Sequence, residues 1–404
     1  MVIIIKWLPS LASLLAAYAC TTQNSKTISG HQGAASELQA LLDQAVAEGI
    51  PGISAAVATR DGVVWTGVAG KADLQTDTPL RPDMLFGIGS ITKTFIAVVI
   101  LQLVEEGRLD LTATAESLLE EAVEGIPNAD VATIAQLLNH TGGIPSWEDD
   151  PDWIRDGRGE QLDVSRVWDK TAALTYIKGH VPLANPGEKF SYANTNFTLL
   201  GMIIEKVTGK DVVDEIHRRI LRPIDLNNIY LEGFEPVPEG QMPHRYHWAT
   251  PAFRQNAGVN AAFPEVRPGL IDVSRSNLSV EWTAGGMVAS VRDLVLFAVA
   301  LRDRRLLSSQ SMKFMTEWFP VEEGVQVGHN LYLVEYPDSL AIIGHNGDVL
   351  GFTGSMYWIE GADAAVAVLC NVGAMHSGSV QGKAPSVAQS REFIELARRV
   401  AASI

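Results

Sequence analysis

The chain of 404 residues is 47% apolar and 19% charged, a composition that excludes a disordered or fibrous protein and provides for a large buried core. With 31 basic against 47 acidic residues the net charge is −16, which excludes a general affinity for nucleic acid or an anionic membrane surface.

Met1 to Ala19 carries one charge, Lys6, then the apolar run Trp7 to Ala19, ending Ala17-Tyr18-Ala19. This is the pattern of a secretory signal peptide with Ala-x-Ala cleavage, so an exported chain, periplasmic or secreted, is expected. The run is short for a membrane span. Cys20 follows at once, leaving lipidation there open as the one route to a membrane. Cys370 is then the single thiol of a mature chain, and no disulfide framework is expected. Residues 20–35 read as a polar linker. A helix is expected from Ser36, as its N-cap, to Gly49. Ile53 to Thr59 and Val63 to Val68, joined by Arg60-Asp61-Gly62, read as a β-hairpin.

Ser90 and Lys93 follow in Phe86-Gly-Ile-Gly-Ser-Ile-Thr-Lys-Thr-Phe95, the only Ser-x-x-Lys in the sequence. Three-residue spacing on a helix puts both groups on one face. Ile91 to Leu103 is apolar nearly all the way round the helical wheel, with Gln102 the one polar residue after Thr94, so the helix should be buried. Burial favours a neutral lysine, able to act as a base toward a serine nucleophile. The plain alternative is an N-capping serine with a solvated lysine. From Leu109 to Glu281 helices dominate, including 132–138, 164–178 and 194–207, and strand signals are nearly absent. The acidic, Trp-bearing stretch 147–168 and the aromatic stretch 234–263 read as long loops. After Gly286 come a helix at 291–301, strands at 331–336, 340–343, 355–359 and 364–369, and a helix at 388–401. Sheet at both ends implies a discontinuous α/β domain of residues 36–108 and 282–404, with a helical insertion of residues 109–281.

Two further motifs could complete a site. Tyr192-Ala-Asn194 is the only Tyr-x-Asn present. Its tyrosine could carry a proton if nearby cations lower its pKa, and its amide could hold a substrate carbonyl. His345-Asn346-Gly347 lies at a strand edge; a rival, His140-Thr-Gly142, is set aside because no strand is in evidence there. No His-Glu-x-x-His or Cys-x-x-Cys occurs, and neither metal nor cofactor is expected.

Ser-Ile-Thr-Lys, Tyr-Ala-Asn and His-Asn-Gly, in that order, resemble the three motifs of the penicillin-recognising serine hydrolases. The chain is similar to the class C β-lactamase branch, and more closely to Streptomyces-type D-alanyl-D-alanine carboxypeptidases and D-aminopeptidases. The resemblance implies an α/β (α+β) β-lactamase/transpeptidase-like fold, with an antiparallel sheet of five or more strands and a mainly helical insertion. It implies Ser90 as acylated nucleophile, Lys93 as its base and Tyr192 as proton relay. Asn194, His345, Asn346 and Gly347 would bind substrate, with His345 orienting Tyr192 and meeting an anionic group. The backbone N–H groups of Ser90 and Asp348 would form the oxyanion hole. The implied activity is hydrolysis of a peptide or amide bond in a small substrate; a peptidase of linear natural-product peptides, as in microcystin degradation, belongs to a similar group. Esterase and β-lactamase chemistry are alternatives, and a non-catalytic penicillin sensor or structural protein is one of another class. Lys-Thr-Gly is absent, which speaks against efficient β-lactam hydrolysis, and Asp348 is expected to repel a substrate carboxylate.

Overall fold

The computed structural model describes residues 30–380 and 383–403. The expected signal peptide, Cys20 and residues 20–29 of the linker lie outside them. Helix α1 spans Gly30–Ala47, so Ser36 stands inside it and not at its cap. Ala34, Leu38, Leu42 and Ala45 recur at helical spacing and are all buried, which carries the helix a turn and more upstream of the expected start.

Nine antiparallel strands form the main sheet: β1 Gly52–Thr59, β2 Gly62–Asp73, β3 Thr78–Pro79, β4 Phe319–Glu322, β5 Val325–Val327, β6 Tyr332–Glu335, β7 Ala341–Val349, β8 Phe352–Ile359 and β9 Ala365–Cys370. Their order is β4-β5-β6-β7-β8-β9-β1-β2-β3, so the N-terminal hairpin docks beside the last strand through β1–β9 pairs such as Ile53–Cys370 and Ala58–Ala365. Both faces of the centre are covered. Ala365, Ala367 and Leu369 enter one core while Val366, Val368 and Cys370 enter the other. That is why β1 and β9 read as unbroken apolar runs. Helix α1 and the last helix, α5 (Arg391–Ala401), pack together on one face; α4 (Val291–Arg302) lies against β1, β8 and β9 on the other.

Helix α2 spans Thr92–Glu105 and follows a 3₁₀ turn at Gly89–Ile91, which places Ser90 just ahead of the helix and Lys93 in its first turn. It packs against α3, Asn194–Thr208, and the short helix Trp282–Gly285. Phe95 stacks on Phe297 of α4 with centroids 3.8 Å apart. Among the described residues no helix is long and apolar enough to cross a membrane.

Two expectations for the middle of the chain are corrected. Residues 164–178 hold only a 3₁₀ turn at Ala172–Tyr176, because Asp163 and Asp169 each accept from the backbone N–H and hydroxyl of the residue two further on, which diverts the backbone from a helix. Four three-residue strands also occur, at Ile229–Leu231, Tyr246–Trp248, Glu265–Arg267 and Leu270–Asp272. Three residues are too few to show period-two alternation.

Strand β7 is longer than its apolar run and carries His345 to Asp348. Its pairing with β6 ends at Gly344, and beyond that its free edge lies against the turn holding Ser90. Backbones meet closely there. A Cβ on Gly347 would lie 1.9 Å from the Ile88 carbonyl oxygen, and Gly89, at φ +53°, has the Asp348 amide nitrogen 2.7 Å from where its Cβ would stand. Gly347→Ala is therefore expected to cost about 1–3 kcal/mol, the usual range for overpacking, seen as a Tm lower by several degrees; an unchanged melting curve would show that the two segments part freely.

Candidate active site

Ser90 is half-buried, whereas Lys93 has no exposed surface at all. Lys93 Nζ lies 2.9 Å from Ser90 Oγ and donates to the Ala284 carbonyl at 2.5 Å. Burial pushes the amine pKa down to about 7, against the pull of Glu148 and Glu281, which favour the charged form. A neutral amine in this place gives one N–H to Ala284 and turns its lone pair to the serine. The spacing read from the sequence thus brings the Ser90 hydroxyl and the Lys93 amine together, with a carbonyl from a distant helix aiming the amine.

Tyr192 stands on the other side of Lys93, whose Nζ is 5.0 Å from the phenol ring centroid. Its Oη is buried and makes no hydrogen bond of good geometry, although the nearby Ser90 hydroxyl acts to favour the ionised form. Burial outweighs that contribution and raises the phenol pKa well above its usual value. The expected cation-lowered tyrosine is corrected: the ring is held as a neutral O–H.

Asn194 begins α3 and is buried. Its Nδ2 donates one N–H to Glu148 Oε2 at 2.5 Å, which leaves the other N–H of the amide for a substrate carbonyl, while Oδ1 is buried without a partner. Glu148 also takes Arg158 Nη2 at 2.9 Å, and the same nitrogen stands 2.7 Å from Glu281 Oε1. The guanidinium is only 1% exposed, and burial raises the Glu281 pKa against the opposing pull of Arg158. One cation between two carboxylates, hydrogen-bonded to a motif asparagine, is a buried ionic cluster that breaks at a high cost if one member is lost.

His345 lies on the β7 edge and packs edge-on to Tyr332, with centroids 5.2 Å apart. Nδ1 faces the Asn346 carbonyl oxygen at 2.5 Å, which assigns the proton to Nδ1 and leaves Nε2 a bare, buried acceptor. Burial, and after it the charge of Lys93, push the imidazole pKa down to about 3. The cationic histidine expected to meet an anion is therefore corrected to a neutral one. Asn346 is half-exposed, and its Oδ1 accepts from Ser355 Oγ at 2.8 Å and Gln389 Nε2 at 3.3 Å. Asp348 Oδ1 accepts the Ala374 N–H at 3.1 Å, and burial pushes its pKa up to about 7 against the pull of Lys383. Turned toward Ala374 and countered by Lys383, this carboxyl repels a substrate carboxylate less than expected.

Sequence reasoning missed Glu148, Arg158 and Glu281. The first two lie in the acidic, Trp-bearing stretch read as a loop, but no spacing marks them as partners of one another or of Asn194. It also set aside His140, which the fold lays directly on Tyr192, with ring centroids 4.3 Å apart.

A family model described as Beta-lactamase matches residues 38–384. Among solved structures, a D-stereospecific amidohydrolase from Streptomyces sp. is similar at TM-score 0.74 and 30% identity, covering 89% of this chain and 97% of that one. A D-amino acid amidase from Ochrobactrum anthropi SV3, complexed with L-phenylalanine, reaches TM-score 0.75 at 27% identity, covering 90% and 98%. Esterase EstB from Burkholderia gladioli is 25% identical over 284 residues, 66% of this chain and 70% of its own. Together with the Ser90–Lys93 pair, these likenesses give the conclusion that the chain belongs to the β-lactamase family and is a serine hydrolase of the β-lactamase/transpeptidase-like fold.

Proposed function

We propose that the protein hydrolyses a peptide or amide bond in a small substrate through an acyl-enzyme at Ser90. The observation that carries this reading is the 2.9 Å contact between Ser90 Oγ and a fully buried Lys93 with a pKa of about 7. Neutral Lys93 takes the proton of Ser90 as its oxygen attacks the carbonyl carbon. The backbone N–H groups of Ser90 and Asp348, adjacent across the contact at Gly89 and Gly347, receive the developing oxyanion. Tyr192, kept protonated by its burial, gives its proton to the leaving nitrogen. The proton held on Lys93 then passes to the tyrosinate, restoring both neutral groups before water attacks the ester. His345 offers a neutral acceptor at Nε2 beside this path, and Asn346 and Gly347 line the strand wall along which substrate would lie. Asn194 would meet substrate through its oxygen and its second N–H, the first being taken by Glu148.

Similarity to a D-stereospecific amidohydrolase and a D-amino acid amidase over about nine-tenths of the chain supports amide chemistry. Likeness to an esterase keeps ester cleavage as the second reading. A panel of D- and L-aminoacyl amides, short peptides, p-nitrophenyl esters and a penicillin, read against Ser90→Ala, separates them. Amide turnover that disappears in Ser90→Ala is expected; turnover confined to esters favours the second reading, and labelling by fluorescent penicillin with no turnover favours a sensor. Retention of activity in Ser90→Ala would remove the nucleophile assignment.

Replacing Tyr192 by Phe deletes the donor, and kcat should fall about 10²–10⁴-fold, the usual contribution of positioned proton transfer. The pH profile follows from Lys93, whose base form predominates above its lowered pKa. So kcat/KM should rise with pH through about 7. His345, at about 3, adds no ionisation between roughly pH 5 and 8. Because Glu281 acts to hold the Lys93 pKa up, Glu281→Gln should move the midpoint to lower pH; a midpoint that stays in place would assign the ionisation to another group.

A further inference from the structure

We infer that His140 is the positioning residue for Tyr192, a role resting on the part proposed above for that tyrosine in proton transfer. Three successive residues are caught by one histidine. Its carbonyl oxygen accepts the Ser191 N–H at 2.8 Å, its ring lies against the Tyr192 ring at 4.3 Å between centroids and 31° between planes, and its Nδ1 accepts the Ala193 N–H at 3.1 Å. The peptide is thus held on both sides of the phenol while the imidazole sets the ring's tilt toward Lys93. The Asn196 side-chain nitrogen, 3.4 Å from Nδ1, fits the same assignment, an unprotonated Nδ1 with the proton on Nε2.

The backbone is bent for this purpose. His140 has φ +59°, a left-handed conformation unusual for a residue with a side chain, kept only where the surroundings over-determine it. Those surroundings are a run of backbone hydrogen bonds in which Leu183, Gly187 and Ser191 donate to the carbonyls of Gly143, Thr141 and His140. Buried at 0% exposure, the imidazole has no solvent to serve. Phe197 of helix α3 also packs on the imidazole, at 5.4 Å between ring centroids, but the start of the helix has anchors of its own. The Asn194 N–H is taken by Ser146 Oγ at 3.0 Å, and Thr195 Oγ1 donates to the Pro145 carbonyl at 2.7 Å. Loss of the imidazole therefore frees Tyr192 and Ala193, while Ser191 stays on the His140 carbonyl and the helix start stays anchored.

The test is a kinetic cycle of His140→Asn, Tyr192→Phe and the double variant on D-alanine p-nitroanilide and p-nitrophenyl acetate. Asparagine tolerates the left-handed backbone and places an amide oxygen near the position of Nδ1, so the variant folds while the ring is lost; melting curves check this, and His140→Ala extends the truncation. The expected result is a kcat on the anilide lower by about tenfold or more with KM within about twofold, and a smaller loss on the ester, whose leaving group needs no proton. The double variant should be no slower than Tyr192→Phe alone. Losses that multiply, or a wild-type kcat in both His140 variants, would overturn the inference. A silent Tyr192→Phe would instead remove the tyrosine's own role, which keeps the two failures apart.

Discussion

The desolvation of Lys93 is the constraint on which the rest of this structure depends. An ammonium with no exposed surface is costly, so the amine is driven toward its neutral form and becomes a base near neutral pH. That state requires apolar surroundings for α2, which is why Phe95 to Leu103 is apolar but for Gln102 and why α2 packs against α3, the short helix Trp282–Gly285 and, through Phe95 on Phe297, α4. It also requires a place for the amine hydrogens, and the Ala284 carbonyl takes one. Left alone, burial would carry the pKa lower still. Glu148 and Glu281 restrain it, and Arg158 tempers both acids in turn.

The strand wall of the site follows the same logic. His345 stands near Lys93 and is buried, so the two cannot both be charged at low cost, and the imidazole yields. A relative with lysine at this position would offer a fixed cation; this chain offers a neutral acceptor. Asp348 adds a carboxyl behind the oxyanion donor, turned to Ala374 and countered by Lys383. The anionic groups of a substrate are thus not met by a permanent positive charge from His345 on β7.

Local chemistry was legible wherever spacing itself carries the information. Ser90 and Lys93 sit three apart at a helix start, a spacing that puts both on one face of the helix. The hairpin at Arg60-Asp61-Gly62 and the strands that became β8 and β9 were read within a few residues, because runs buried on both faces are apolar throughout. Less visible were residues whose partners lie far along the chain. Nothing near Glu148 or Arg158 signals Glu281 more than a hundred residues on, and the short strands at 229–272 exist only because neighbours pair with them. His140 lies on no strand and so carries no strand signal; it is a left-handed loop residue that reaches Ser191, Tyr192 and Ala193.

By itself, then, the sequence marked the Ser90–Lys93 pair, the three motifs and the sheet's central strands, since these depend on contacts within a turn or on burial patterns written into successive residues. Tertiary structure decided the protonation states: a neutral His345, a phenol held in its O–H form, and an amine poised near neutrality. A pKa is set by how much water is removed and which charges stand within a few ångströms, and both quantities exist only once distant segments have closed around the group.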